Sequence, residues 1–256
     1  MIWMWSVCIC FSFVSLFAGT SKLIPDPEYK IFQALPCPLY GPWLSDPVFL
    51  ELHESVVIKN DYPRWEDPNR YFQYVLSRNA LAIEGGDFIE CGVQNGKSFD
   101  IFSIVIDRWD TKNRSIYGFD SFEGLAAPTI EDLDPLTGTQ TITPGYARGW
   151  DKDRVQSLLS YHRCHFDLVK GWIPKCFNGY ENKRFCFAHI DVDLYDATAD
   201  TIAFVYPRML KGGIILFDDY GFSLCIGARK AINEYLADKP EVVIVLPTGQ
   251  AFIIKQ

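Results

Sequence analysis

Seven short apolar runs alternate with amphipathic segments along most of this chain, and the alternation restricts the fold more than any other feature. The runs, in order, are DFIECGV, SIYGFD, HFDLVKGW, FCFAHIDVD, GIILFDD, EVVIVLP and AFIIKQ. Helical periodicity fits most of the gaps between them, at residues 98–109, 151–161, 197–210 and 228–236. A strand, then a helix, then a strand is typical of a parallel sheet that helices cover on both faces.

The last two runs are joined differently from the others. Only TGQ separates them, which is too short for the crossover helix that a parallel pair of strands needs. The two runs should therefore pair as an antiparallel hairpin. We predict an α/β fold, namely a doubly wound, Rossmann-like sheet of seven strands that is mostly parallel and has an antiparallel C-terminal hairpin.

Composition divides the chain into three regions. Residues 1–22 form a hydrophobic leader with no charged side chain before Lys22. It fits three interpretations: a cleaved signal peptide, a single N-terminal anchor, or a mistaken upstream start codon. Residues 23–64 are a proline-rich extension, interpreted as an extended cover or linker because prolines interrupt regular structure. The α/β domain is predicted over residues 65–256, beginning with a helical pattern around Tyr74.

The ends of the first two runs carry residues expected at a nucleoside-binding site. Ligands of open α/β sheets bind beyond the carboxyl ends of the strands, where strand order reverses. The first run ends in a turn, Glu90 to Gly96, whose glycines let the backbone approach a ligand closely; taken alone, the turn also fits a plain strand-to-helix connection. The second run ends at Asp120, where doubly wound folds bind ribose hydroxyls. Because the turn departs from G-x-G-x-x-G, the motifs favour an adenosine-bearing ligand without pyrophosphate over NAD.

Four acids stand at the ends of the fourth and fifth runs. Asp191 and Asp193 share a face because alternate side chains of a strand point the same way, and Asp218 and Asp219 end the fifth run. If the two strands are neighbours, the carboxylates repel one another unless a cation binds or one takes up a proton. Oxygen ligands without Cys or His suit a hard ion such as Mg²⁺. Asp196 is assigned instead to the N-cap of the following helix.

Six segments, taken in order, resemble those of a known family. They are GDFIECGVQNGKS, YGFDSFEGL, LVKGW, HIDVDLYDAT, YPRMLKGGIILFDDYG and GARKAINEY. Over roughly residues 65–256 the chain resembles the macrocin O-methyltransferase family, whose members are S-adenosylmethionine-dependent sugar O-methyltransferases of antibiotic biosynthesis. The resemblance is specific because the glycine turn and two acidic strand ends match together.

The resemblance implies a role for each matching position. The residues that would bind S-adenosylmethionine are Glu90, Gly92, Val93, Gly96, Ser98, Asp120, Ser121, Trp172 and Asp191. The magnesium ligands would be Asp191, Asp218 and Asp219. Asp193 matches the acid proposed as general base, and whether it accepts the proton or joins the coordination of the ion stays open. A divalent cation that lowers the pKa of a hydroxyl and a carboxylate that accepts its proton would both assist methyl transfer.

One segment departs from the family pattern, and a second lies between the matching motifs. Gln94-Asn95-Gly96-Lys97 stands where the family commonly has Arg-Gly-Gly, which implies different contacts to the carboxylate of the cofactor. Residues 126–150 form a long connection rich in Thr, Pro and Gly, and long connections of this kind are often lids. We therefore expect this segment to shape the acceptor site.

We predict a magnesium-dependent O-methyltransferase that acts on a hydroxyl of a sugar or a glycosylated small molecule. The nearest alternative has the same fold and ion and methylates a catechol-like phenol. A third interpretation is a noncatalytic binding protein that kept the fold. His189, which would face inward on the fourth strand, is interpreted as a satisfied core histidine rather than a catalyst.

Charge and the leader set further expectations about partners and location. The formal net charge of -8 and the lack of a basic stripe argue against binding of nucleic acid, because affinity for duplexes comes mainly from Lys and Arg. S-adenosylmethionine is a cytoplasmic metabolite, so we expect a cytoplasmic catalytic domain, attached to a membrane if the leader is an anchor. Membrane contact would then involve residues 1–20 alone. We also expect a homo-oligomer.

Overall fold

The computed structural model describes residues 41–60, 67–139 and 142–256. The leader lies outside the described residues, and with it the choice among signal peptide, anchor and start-site error. Within the described ranges, no helix combines the length and the apolar character that crossing a bilayer requires. The described residues belong to one compact unit, Tyr40–Gln256.

Seven strands in the described part of the chain form one sheet. In chain order they are β1 Asp87–Cys91, β2 Ile116–Asp120, β3 Phe166–Lys170, β4 Phe185–Ile190, β5 Met209–Phe217, β6 Ile244–Val245 and β7 Ala251–Ile254. The sheet order is β3-β2-β1-β4-β5-β7-β6. Strands β1 to β5 pair in parallel, whereas β7 runs antiparallel to β5 and β6. The predicted seven-stranded sheet with a reversed C-terminal hairpin is confirmed.

Six α-helices flank the sheet in the described part of the chain. They are α1 Pro47–Asn60, α2 Asp67–Ala80, α3 Lys97–Trp109, α4 Lys152–Leu159, α5 Tyr195–Val205 and α6 Ile226–Leu236. The helices predicted after β1, β2, β4 and β5 are present as α3 to α6. The predicted helix 197–210 is displaced, because α5 begins at Tyr195 and a 3-10 turn containing Pro207 leads into β5.

Helix α1 occupies part of the segment interpreted as a cover or linker. Asp46 Oδ1 accepts the backbone N–H of Phe49 at 3.1 Å, and Pro47 takes the first helical position, where its missing N–H costs nothing. Phe49, Leu52 and Val56 are fully buried. Residues 47–60 are thus a core helix rather than an extended linker, since the Asp-Pro pair starts a helix here instead of interrupting structure.

The sheet separates two apolar cores because successive side chains point to opposite faces. The core on the α1 to α3 side contains Phe88, Phe187 and Leu216. The core on the α5 and α6 side contains their strand neighbours Ile89, Ala188 and Ile215. Parallel strands covered on both faces are continuously apolar for this reason, which explains why the runs are visible in the sequence.

Strand order reverses between β1 and β4, which are neighbours although two strands lie between them in the chain. Carboxyl ends of β1, β2, β4 and β5 therefore meet at one edge of the sheet. The connection from β2 to α4 lies beside this edge, where its Ile142 packs with Leu194 and Cys225 in a small apolar cluster. A backbone hydrogen bond of 2.9 Å from Leu125 N to Tyr146 O closes the base of the connection.

Candidate active site

The glycine turn brings the tip of β1 against the tip of β4. Gly92 has a φ of 90°, and a Cβ built there would lie 1.7 Å from the backbone oxygen of Asp191. A residue with a side chain cannot be placed in such a contact without moving one of the strands. The turn therefore exposes bare backbone at the point where strand order reverses.

Asp120, at the end of β2, is oriented by the same turn. Its Oδ2 accepts the backbone N–H groups of Val93 and Gln94, both at 2.8 Å. Its Oδ1 accepts the N–H of Phe122 at 2.6 Å. An ionised carboxylate has about four acceptor positions, so these bonds fix the group and leave it capacity to accept a ligand hydroxyl.

Two cavities meet at this edge of the sheet and share Gly92, Asp120 and Asp191 in their walls. The larger has a volume of about 290 Å³ and extends past Ser121 and Trp172. The smaller has a volume of about 170 Å³ and extends along the glycine turn to the start of α3. Together they form a groove across the strand ends, suited to an elongated ligand.

Glu90 lies beneath this groove and is fully buried. Its Oε1 accepts the hydroxyl of Ser98 at 2.5 Å and lies 2.8 Å from His189 Nδ1. Burial raises the pKa of Glu90, against the opposing effect of these hydrogen bonds. Its Oε2 is buried and has no hydrogen-bond partner among the described residues, an arrangement that is uncommon in folded proteins.

His189, fully buried on β4, joins two acids. Its Nδ1 contacts Glu90, and its Nε2 lies 3.3 Å from Asp218 Oδ1. Burial disfavours the charged ring, but the hydrogen bonds to Asp218 and Glu90 outweigh it and raise the pKa of His189 to about 10. Both ring nitrogens are thus engaged by carboxyl groups. The interpretation of His189 as a satisfied core residue agrees with this geometry.

Asp218 receives several donors on one oxygen. Its Oδ1 accepts Gln250 Nε2 at 2.6 Å and Gln73 Nε2 at 3.3 Å, in addition to His189. Burial opposes ionisation, but the bond from His189 lowers the pKa of Asp218 to about 2. No hydrogen bond among the described residues uses Oδ2, so this oxygen is available to a cation.

The four strand-end acids are crowded, as the sequence predicts, but they fall into two groups. Each group has its possible ligand atoms within 4.8 Å of one another: His189 with Asp191 and Asp218, and Asp193 with Asp219 and Cys225. Burial and the charges of Asp218 and Asp219 raise the pKa of Asp191 well above its usual range. Burial and the charges of Asp193 and Asp218 do the same for Asp219.

Asp193 has an unusual backbone conformation. Its φ is 60°, a region that Asp tolerates better than most residues. Its N–H donates to Asp219 Oδ2 at 2.9 Å, and the Cys225 thiol donates to its Oδ1 at 3.4 Å. Burial also raises the pKa of Asp193. The side chain lies in the wall of the smaller cavity.

The other predicted cofactor residues occupy different positions around the groove. Val93 and Ser98 line the smaller cavity, while Ser121 and Trp172 line the larger. Gly96 lies outside the walls of both cavities; a Cβ there would meet Val155 of α4 at 2.9 Å. Its positive φ of 81° begins α3, so the structure places Gly96 in helix packing and away from the groove.

Several residues at this edge were given no role of their own by the sequence, although Lys97 was noted as part of a departure from the family pattern. Arg70 and Lys97 line the smaller cavity, and Gln73 and Gln250 are fully buried beside Asp218. Asp196 is the second residue of α5 and lines the larger cavity, so its assignment as N-cap was wrong. A glutamine within an apolar helical face, as at Gln73, was the one available signal, because a buried amide requires a polar partner.

Comparison with known proteins identifies relatives. The model of the macrocin-O-methyltransferase (TylF) family matches residues 73–242. Mycinamicin III 3''-O-methyltransferase of Micromonospora griseorubida is 29% identical over 157 residues, which cover 59% of this chain and 60% of that protein. A second relative, from Streptomyces olivaceus, is 8-demethyl-8-(2,3-dimethoxy-alpha-L-rhamnosyl)-tetracenomycin-C 4'-O-methyltransferase. It is 25% identical over 153 residues, which cover 59% of this chain and 58% of that protein. The chain thus spans about 60% of the length of the curated relatives it matches.

Solved structures share the fold at lower identity. The O-methyltransferase NovP has a TM-score of 0.63 and 18% identity, with 81% of this chain and 96% of that chain covered. The calicheamicin methyltransferase CalS11 has a TM-score of 0.60 and 20% identity, with 81% and 93% covered. At this level of identity the likeness establishes the fold alone.

Proposed function

Because this chain belongs to the macrocin O-methyltransferase family, we propose that it moves the methyl group of S-adenosylmethionine to a hydroxyl of a sugar or glycosylated small molecule, with Mg²⁺ bound beside the acceptor. One observation carries the proposal. The carboxyl ends of β1, β2, β4 and β5 gather Asp120 and two adjoining groups that together contain four carboxylates at the point where strand order reverses. A nucleoside ligand and a divalent cation are the two groups that such an edge suits.

The groove fits S-adenosylmethionine in its polar groups. Asp120 is held where ribose hydroxyls bind in doubly wound folds, between the two cavities. Beneath the groove, Glu90 Oε2 is a buried acceptor without a partner among the described residues, and the ammonium group of the cofactor would supply the missing donor. Gly92 leaves the backbone uncovered between these two acids. When bound, the cofactor supplies a methyl group that is activated by its positively charged sulfur.

The acids fit a magnesium ion. Asp191 and Asp218 bring ligand oxygens within 4.8 Å of each other, and Asp218 Oδ2 is in no described hydrogen bond. Asp219 lies close enough for its charge to raise the pKa of Asp191. Carboxylates crowded in this way favour a hard cation with oxygen ligands over a proton. Bound there, Mg²⁺ would lower the pKa of an acceptor hydroxyl.

Each remaining task falls to a side chain already described. The glycine turn, Asp120 and Glu90 would align the cofactor, because methyl transfer depends on the alignment of oxygen, carbon and sulfur. Asp193 would accept the hydroxyl proton, since burial raises its pKa and makes it a stronger base than an exposed aspartate. The thiol of Cys225 donates to this carboxylate, and the backbone N–H bond to Asp219 fixes the main chain that carries it.

A methyl-transfer screen tests the proposed function. The protein would be supplied with S-adenosylmethionine and a panel of sugars, glycosides and phenols, with Mg²⁺ and with EDTA. We expect methylation of a sugar or glycoside that EDTA abolishes. Methylation of phenols alone would favour the catechol-type alternative, and calorimetry that detects no binding of S-adenosylmethionine would contradict the enzymatic function.

Replacement of Asp193 by asparagine tests its role as base. Asn tolerates a φ of 60°, keeps the N–H donor to Asp219 and still offers Cys225 an acceptor, so the site should retain its shape. We expect kcat to fall by about a hundredfold or more, the range seen for loss of general-base catalysis. Affinities for S-adenosylhomocysteine and Mg²⁺, measured by calorimetry, should be unchanged.

The control for this variant is Asp153→Asn, which removes an exposed carboxylate in the first turn of α4. It should leave kcat and both affinities as in the unmodified protein. A loss of Mg²⁺ affinity in Asp193→Asn would make Asp193 a metal ligand instead of the base. Unchanged turnover would remove it from both roles.

A further inference from the structure

The side chains of the glycine turn are committed to other contacts. Gln94 Nε2 donates to the backbone oxygen of Ala147 at 3.0 Å, and Asn95 Oδ1 accepts the N–H of Trp150 at 2.7 Å. Both contacts attach the connection between β2 and α4 to the turn. The turn itself thus carries no cation at positions 94 and 95 with which to bind an anionic group of a ligand.

Two cations reach the smaller cavity from other elements. Arg70 of α2 and Lys97, the first residue of α3, both lie in its wall and are partly buried. Arg70 Nη1 donates to Gln73 Oε1 at 3.0 Å, and Gln73 is fully buried and also bonds Asp218. The guanidinium is therefore oriented by a side chain that is itself fixed in the core.

The start of α3 adds positive potential on the same side. The N-cap residue Gly96 offers no side-chain acceptor to the first turn of this helix, and backbone N–H groups at a helix N-terminus attract anions. Asp100 is the acid of this first turn, and its Oδ1 is bonded to Tyr161 and His162. This oxygen is therefore engaged by the segment that follows α4.

Three carboxyl side chains line another part of the smaller cavity. Asp120, Asp191 and Asp193 lie in its wall, and the unpartnered Oε2 of Glu90 is buried beneath the adjoining strand end. Cations on the helix side and carboxylates on the strand side complement a zwitterion, in which an ammonium and a carboxylate share one carbon atom. An α-amino acid group has this charge pattern.

We propose that Arg70 and Lys97 bind the carboxylate of the α-amino acid end of the cofactor, in place of a basic residue in the glycine turn. This assignment rests on the proposed function. Arg70 supplies directional N–H donors oriented by Gln73, and Lys97 supplies an ammonium at the start of α3. Two elements outside the turn thus select a cofactor that carries an amino acid.

Two ligands that differ in this carboxylate test the assignment. Calorimetry would measure the affinity of the full-length protein for S-adenosylmethionine and for decarboxylated S-adenosylmethionine, which keeps the amine and the sulfonium. We expect Arg70→Met and Lys97→Met each to lower the affinity for S-adenosylmethionine by about ten- to a hundredfold, as for loss of a hydrogen bond to a charged group. The decarboxylated ligand should bind the two variants no more weakly than it binds the unmodified protein, because the removed cations face no carboxylate in it.

The matched control is Arg108→Met, which removes a cation from the last turn of α3, where Arg108 pairs with exposed Glu51. It should change neither affinity. The assignment would be overturned if Arg70→Met and Lys97→Met lowered the affinities for both ligands equally. It would also be overturned if they lowered neither affinity. Retained binding of the decarboxylated ligand shows that a variant is folded, and an unmodified protein that binds neither ligand would contradict the proposed function itself.

Discussion

Gly92 combines two constraints at one residue of the site. Its positive φ favours glycine, and a methyl group there would overlap the backbone oxygen of Asp191. The first constraint is common to many turns. The second exists because β1 and β4 are neighbours, so a residue of the glycine turn is pressed against the strand end that carries Asp191 and Asp193.

We expect Gly92→Ala to destabilise the protein by about 3 kcal/mol or more, because strand ends must separate in addition to the strain of a positive φ. Gly179→Ala is the matched control. Gly179 has a φ of 93° and no atom within 4 Å of a built Cβ. An alanine there would have the strain of a positive φ without the overlap, so Gly179→Ala should destabilise the protein by about 1 kcal/mol. Urea denaturation measures both variants, and equal losses would show that the approach to Asp191 does not matter.

At the scale of elements, the N-terminus of α5 is capped by a distant segment. The N-cap residue Leu194 has no side-chain acceptor for the first turn. Asp132, in the connection between β2 and α4, accepts the N–H of Tyr195 with Oδ1 at 2.8 Å and the N–H of Thr129 with Oδ2 at 2.8 Å. The connection predicted as a lid is thus attached to the helix that follows Asp193. Asp196, in the first turn, adds a favourable charge near the positive helix end.

Asp132→Ala should destabilise the protein by about 1 kcal/mol, the usual cost of losing a helix N-cap. It should also increase amide hydrogen exchange at the start of α5 and in the connection, because the one carboxylate serves both. Asp134→Ala is the control, since the carboxylate of Asp134 accepts, in the described part of the chain, the nearby N–H groups of Leu136 and Thr137. Hydrogen exchange that rises equally at α5 in both variants would contradict the capping role of Asp132.

At the scale of the whole molecule, a buried acid fastens the C-terminus to the sheet. Glu241 accepts the hydroxyl of Tyr206 at 2.6 Å, the ammonium of Lys255 at 3.0 Å and the N–H of Gln256 at 3.1 Å. Burial opposes its ionisation, but these donors outweigh burial and lower the pKa of Glu241 to about 2. Strand β7, which separates β5 from β6, is held in place by this contact.

Stability should therefore depend on pH through Glu241. A carboxyl whose folded pKa is lowered contributes stability above its unfolded pKa of 4.5 and loses it as pH falls from 4.5 towards 2. Glu241→Gln should cost about 2 kcal/mol at neutral pH and reduce the loss of stability across that acidic range. Thermal unfolding at several pH values, with exposed Glu54→Gln as control, checks this, and an unchanged acidic slope would count against it.

Most of the fold could be predicted from the sequence. Apolar runs covered on both faces, and a TGQ link too short for a crossover, required a parallel sheet with a reversed hairpin, which the structure confirms. The error at α1 arose because prolines were interpreted as interruptions, although Pro47 follows a capping Asp46 and starts a helix. At the site, the acids that follow β4 and β5 were predicted to be crowded, and Asp193, Asp218 and Asp219 lie close enough for their charges to raise the pKa of Asp191. The roles of these acids stay predictions.

Periodicity and the chemistry of strand ends are properties of short segments. The sequence alone was therefore enough to predict the sheet, the edge where the carboxyl ends of its strands meet, and the acids at that edge. The partners of those acids required the folded chain. Asp218 meets Gln73, Cys225 meets Asp193, and Arg70 reaches a cavity lined by residues of three strand ends. These contacts join segments far apart in sequence, so they depend on strand order and helix packing, which bring such segments within hydrogen-bonding distance.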